Sequence, residues 1–141
     1  MITAKKKVLV VDDERSIRQL LADFLSNRGF EVSIAKNGQE SLDQLETNTF
    51  DLVITEIDLS RVDGVQMLKQ MEKARRKERV IVMTADPTDH RLLKIQTPHV
   101  VSRLNKPFRM DNFLDTVIAA TSNGETPSIG KDGNRIMEGL A

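Results

Sequence analysis

The chain has 141 residues, enough for one domain with a buried core and a short tail. Its composition, 39% hydrophobic and 30% charged, is that of a soluble globular protein, and 21 basic against 21 acidic side chains leave no net charge to draw it to nucleic acid or membrane. The absence of cysteine excludes disulfides and thiolate metal sites and fits a cytoplasmic home, and no apolar run approaches the ~18 residues of a membrane span.

Lys7 to Val11 is a short, β-branched apolar run, suited to a strand buried on both faces, and it ends in Asp12 and Asp13. The basic residues before it do not make it a signal peptide, because the apolar stretch from Val8 is too short. Ile17, Leu20, Leu21, Phe24 and Leu25 then mark one stripe of a helix that ends at Arg28 and Gly29. Phe30 to Ala35 alternates apolar and polar residues, as an edge strand does. Asn37 and Gly38 open a helix that turns Leu42 and Leu45 inward.

Leu52 to Thr55 is a second buried strand, and Glu56 stands at its end. A polar loop from Asp58 to Asp63 leads to a helix carrying Val65, Leu68 and Met71, and the basic run from Lys73 to Arg79 is expected as its solvated end. Val80 to Met83 is a third buried strand, ending in Thr84. Asp86 and Pro87 predict a helix start, with a weakly anchored helix over Pro87 to Gln96. Val100 to Leu104 is the last strand, followed by a turn through Lys106, Pro107 and Phe108. Met110, Phe113, Leu114, Val117 and Ile118 mark the final helix. The domain is expected over residues 5–121, with 122–141 a flexible tail of little periodicity.

Five strands alternating with five helices imply an α/β fold: a doubly wound parallel sheet of order 2-1-3-4-5, flavodoxin-like, with ligands at the carboxyl ends of its strands. Those ends deliver Asp12 and Asp13, Glu56 with Asp58 just beyond, Thr84, and Lys106. Gathered carboxylates repel unless a cation joins them, and Mg2+ suits such oxygens; a hydroxyl and an ammonium suit a phosphoryl group.

The Asp12–Asp13 pair, the frame from Asp51 through Glu56 to Asp63 and Gly64, the Thr84–Ala85 step and the Lys106–Pro107–Phe108 turn together resemble the receiver domain of response regulators in two-component, or phosphorelay, signal transduction. The resemblance implies that Asp12, Asp13, the acid at 56 and the Asp58 carbonyl hold Mg2+, that Thr84 and Lys106 contact phosphoryl oxygens, and that the Lys106–Pro107 bond is cis. It also implies a phosphoacceptor aspartate where this chain has Glu56. The implied partner is a sensor histidine kinase or another signalling protein. Output would be protein–protein contact, including a homodimer, through the face of the fourth helix, fifth strand and fifth helix.

Four positions depart from the family pattern. Glu56 extends the carboxylate by about 1.5 Å, which predicts an atypical receiver, phosphomimetic or not phosphorylated at all. Arg103 stands where a switch aromatic is usual, Ser60 where proline is common, and Thr97-Pro98-His99 where a Gly-Ala pair is usual. For Arg103 the expectation is a snorkelling side chain or a bridge to Asp89.

Blander readings stand beside these. Asp12 and Asp13 also suit the start of a helix, His90 and His99 are surface histidines by default, and Asp58 lies too far out to replace the acceptor. With no helix-turn-helix segment after residue 121, the chain is expected not to bind nucleic acid; its zero net charge and short apolar runs point away from a membrane, and the resemblance implies that it is not an enzyme. The rival is a Mg2+-dependent phosphatase-like enzyme on a similar sheet, using Asp12 and Glu14. A flavin module is disfavoured because three acids follow the first strand, where a phosphate would bind.

Overall fold

The computed structural model describes residues 4–95 and 97–122, so the expected tail lies outside the described residues beyond Ser122. Five strands, β1 (Lys7–Val11), β2 (Glu31–Ala35), β3 (Leu52–Glu56), β4 (Arg79–Thr84) and β5 (Val100–Asn105), form one parallel sheet in the order β2-β1-β3-β4-β5. Its helices are α1 (Arg15–Ser26), α2 (Gly38–Thr47), α3 (Gly64–Lys73) and α4 (Met110–Ala120).

Alternation along the central strands divides the core between the two faces of the sheet. Val8, Val10, Leu52, Ile54, Ile81 and Met83 face Leu21 and Leu25 of α1 and Phe113 and Val117 of α4. Leu9, Val11, Val53, Val80 and Val82 face Leu45 of α2 and Val65, Leu68 and Met71 of α3. Phe113 is fully buried, stacks on Phe108 at 5.5 Å and meets Phe24 edge-on at 6.1 Å, which seats the turn after β5 against α1 and α4.

The helix expected over Pro87 to Gln96 is instead a 3-10 turn, His90–Lys94. Two aspartates compete for the backbone here. Asp86 Oδ1 accepts from Thr88 N at 2.9 Å, and Asp89 Oδ1 from Arg91 N at 2.9 Å, each closing a local turn. Leu92 and Ile95 reach the α3 side of the core, but Leu93 is 74% exposed, so two anchors hold the segment and no helical stripe forms. Beyond it, β5 pairs with β4 through a register shift at Val80 and Ile81.

The basic run from Lys73 to Arg79 is not simply solvated. Arg76 forms a bidentate pair with the buried Glu78, at 3.0 and 2.6 Å, and donates to Leu45 O and Asn48 O, both at 2.8 Å, behind α2. Arg79 Nη1 donates to Ala120 O at 3.0 Å, at the end of α4. Arg28 donates to Phe24 O in the last turn of α1 at 3.1 Å. Three arginines thus satisfy carbonyls that helix ends leave open, where a cation also opposes the helix dipole.

Candidate functional site

The opposite end of the sheet collects the acids. β1 ends by delivering Asp12, which is fully buried. Its Oδ1 accepts from Glu14 N at 2.9 Å, and its carbonyl accepts from Arg18 Nη1 at 2.7 Å. Its Oδ2 accepts from Lys106 Nζ at 2.7 Å. Glu56, the last residue of β3, points its Oε2 at the same ammonium and forms an ion pair with it. That oxygen is buried, and the Lys106 ammonium is its partner. One ammonium therefore serves two buried carboxylates.

The titration behaviour follows from this count. Burial pushes the Glu56 carboxyl above its ordinary value; Lys106 pulls it down, and Asp12 and Asp13 push it further up. Burial pulls Lys106 down, but contacts with both Asp12 and Glu56 outweigh it, and its pKa rises. Both values rise, but for the lysine the rise favours the charged form and for Glu56 the neutral one, because the lysine has two anionic partners whereas Glu56 shares its one cation with another acid.

Backbone geometry places the lysine. Lys106 N donates to Thr84 O at 2.7 Å, and the Lys106–Pro107 bond is cis. The Thr84 hydroxyl closes a local turn, donating to Asp86 O at 3.0 Å and accepting from Asp86 N at 3.1 Å. It is not bonded to Lys106 or Glu56. Two glycines let the loop after β3 approach: a Cβ on Gly38 would lie 1.9 Å from Val62 O, and one on Gly64 2.6 Å from Glu56 O. Asp63 caps α3 in a reciprocal capping box with Gln66.

The remaining candidates make no hydrogen bond or ion pair within this cluster, although the Asp13 charge acts on Glu56. Asp13 is exposed. The Asp58 side chain is also exposed and meets Arg91 Nη2 at 3.3 Å. Arg103 is exposed and donates from Nη2 to Leu92 O at 3.3 Å; Asp89 pairs with Arg91 at 2.7 Å instead. Arg18 and Arg91 escaped the sequence reading. Arg18 carried a signal, since a cation early in a helix opposes the dipole and needs another partner. Arg91 carried none, because its reach to Asp58 is a tertiary contact.

The fold and site define a class: a doubly wound α/β domain with carboxylates at the ends of its first and third strands, a hydroxyl on the fourth and a lysine after the fifth. The chain belongs to the response regulator receiver domain family, which matches residues 8–118. It is 31% identical over 112 residues to sporulation initiation phosphotransferase F of Bacillus subtilis, covering 79% of this chain and 90% of that protein. It is 29% identical to the transcriptional regulatory protein ZraR of Escherichia coli, over 86% of this chain but only 29% of the relative. Among solved structures, the chemotaxis response regulator CheY4 of Vibrio cholerae superposes with a TM-score of 0.74 at 26% identity, over 83% of this chain and 99% of that one. The response regulator TrrA of Thermotoga maritima, solved in complex with Mg2+ and BeF, gives 0.69 at 29% identity, over 82% and 98%. No helix among the described residues is long and apolar enough to cross a membrane.

The residues as arranged here do not fit a metal ion. Both Asp12 oxygens are engaged, Glu56 Oε2 faces the Lys106 ammonium, and Asp13 is exposed to solvent. Among the described residues no three His, Cys, Asp or Glu side chains gather to hold one.

Proposed function

We propose that this receiver domain works with a fixed site, in which Glu56 replaces the phosphoacceptor and makes by itself a contact that the resemblance assigns to a phosphoryl group. The observation that carries this is the Glu56–Lys106 ion pair. The lysine that would hold a phosphoryl oxygen already holds the Glu56 carboxylate. A nucleophile must also stand in line with the incoming phosphorus, and the extra methylene moves the carboxylate by far more than such alignment tolerates. Thr84 does not follow: its hydroxyl stays with Asp86, so mimicry of a phosphorylated state would be confined to the lysine side of the pocket.

In this reading, the domain over residues 5–121 is a cytoplasmic signalling module that acts by protein–protein contact. Its partner is a histidine kinase, another signalling protein or a second copy, met on the face of the 3-10 turn, β5 and α4. Mg2+ is a conditional cofactor, since Lys106 would have to leave Asp12 and Glu56 first. The phosphatase reading is weakened by Asp12, which is fully buried and held by Lys106, whereas a nucleophile needs open approach.

Intact mass after incubation with Mg2+ and acetyl phosphate tests the proposal. The expected result is no phosphoryl adduct on the wild type and a gain of one in Glu56→Asp. A rapid stoichiometric adduct on wild-type Glu56 would overturn it.

A further inference from the structure

The acidic pocket already contains a cation, and it belongs to the chain. Lys106 Nζ sits 2.7 Å from Asp12 Oδ2 and in contact with Glu56 Oε2. The other Asp12 oxygen is taken by Glu14 N. A divalent ion such as Mg2+ requires oxygens at about 2.0–2.1 Å in near-octahedral array. An ion taking Asp12 Oδ2 and Glu56 Oε2 in that way would occupy the space the ammonium holds, and two cations would then share one enclosed volume. Lys106 and a metal therefore exclude one another in this arrangement.

Glu56 is what tightens the exclusion. Its side chain is longer than aspartate by about 1.5 Å, and that length carries Oε2 from the end of β3 to the ammonium. Lys106 is thereby held from two sides, and its backbone is tied to Thr84 O. A metal would have to break both carboxylate contacts and leave a largely enclosed ammonium without a partner, which is the costly way to treat a buried charge.

We propose that Lys106 is the resident cation of this pocket and that Glu56 locks it there, so that the domain keeps its site assembled without a divalent ion. Mg2+ then binds well only when the lock is opened. This stands apart from whether Glu56 can be phosphorylated, because it concerns which cation the acids hold.

Titration of the full chain with MgCl2, followed by calorimetry and by amide chemical shifts around Asp12 and Asp13, tests it. Lys106→Met removes the competing cation, and Glu56→Asp withdraws one of its two holds while keeping every charge. Both variants are expected to bind Mg2+ at least about tenfold more tightly than the wild type, a difference of about 1.4 kcal/mol. Should Lys106→Met fail to fold, Glu56→Asp alone carries the test. The proposal is overturned if the folded variants bind no more tightly than the wild type, whether all bind or none does. The phosphorylation experiment reads an adduct on one residue, so the two proposals can fail separately.

Discussion

The two ends of the sheet both bury ionic groups, and they do so in opposite ways. At the amino ends of the strands, Arg76 and Glu78 neutralise one another. Glu78 accepts from Arg76 Nε, Arg76 Nη2 and Phe50 N at 2.6 to 3.1 Å, and the guanidinium also serves two carbonyls. At the carboxyl ends, one ammonium faces two carboxylates. The first arrangement is satisfied and neutral. The second carries an excess negative charge. Neutralised buried ions hold a fold together, whereas incompletely compensated ones mark the places where a fold is used.

The comparison is broken most severely by removing the clasp. Arg76→Ala leaves Glu78 buried without a counterion and frees the carbonyls behind α2. It should cost about 3–5 kcal/mol, the range for breaking a buried pair by deleting one partner. Urea unfolding measures this; a cost under about 1 kcal/mol, the level of an exposed surface pair, would show that the clasp is not structural. Next comes the loop over the pocket. Gly38→Ala would place a methyl 1.9 Å from Val62 O, a backbone atom that cannot step aside alone. The expected loss is about 1–3 kcal/mol, as for overpacking in general, with amide shifts spreading from Val62 towards Glu56.

At the pocket itself the expected sign reverses. The folded-state pKa of Glu56 lies above its ordinary 4.5, chiefly through burial, so folding disfavours its charged form relative to the unfolded chain. Its contribution to stability is complete below 4.5 and is lost as pH rises through the raised value. Glu56→Gln should therefore melt higher than the wild type at neutral pH, and the advantage should vanish in acid below 4.5. A lower melting point at neutral pH would show that the Lys106 contact outweighs burial.

Much of this contrast was legible in the residues. The apolar runs of β1, β3 and β4 and the stripes of α1 and α4 declare both the sheet and its two covered faces, because burial imposes its period on sequence. The acids and the lysine at the strand ends follow from topology alone. The basic run before Val80 misled, since an arginine that caps a distant helix has the same local signature as one in water. The segment after Thr84 misled for a different reason. Asp86 and Pro87 do start a turn, but continuing a helix depends on anchors, and Asp89 competes for the backbone that a helix would need. The length of Glu56 already suggested a reach to Lys106 or Thr84, but the hold of Asp12 on the same lysine was beyond sequence reasoning, because which oxygen an ammonium meets is decided by packing.

That competition for the backbone gives the smallest expected effect. Asp89 accepts from Arg91 N and is clasped by its guanidinium at 2.7 Å, and these bonds to Arg91 hold its carboxyl down at about 2. The depressed value means that the stabilisation is present above the ordinary 3.8 and is lost as pH falls through about 2. The carboxyl is near the surface, so the global melting point should scarcely move, and the readout has to be local. Carboxyl carbon shifts should titrate near 2 for Asp89, with the amide of Arg91 moving in step. Asp89→Asn keeps an acceptor for Arg91 N but loses the charge, so the acid transition at Arg91 should disappear while the turn stays formed at neutral pH. If the turn instead lengthens into a helix in Asp89→Asn, the carboxylate was what prevented it. If it melts, Arg91 was holding the segment to Asp58 through Asp89, and the edge of the pocket depends on an ion pair that is satisfied in the manner of the clasp at the other end of the sheet.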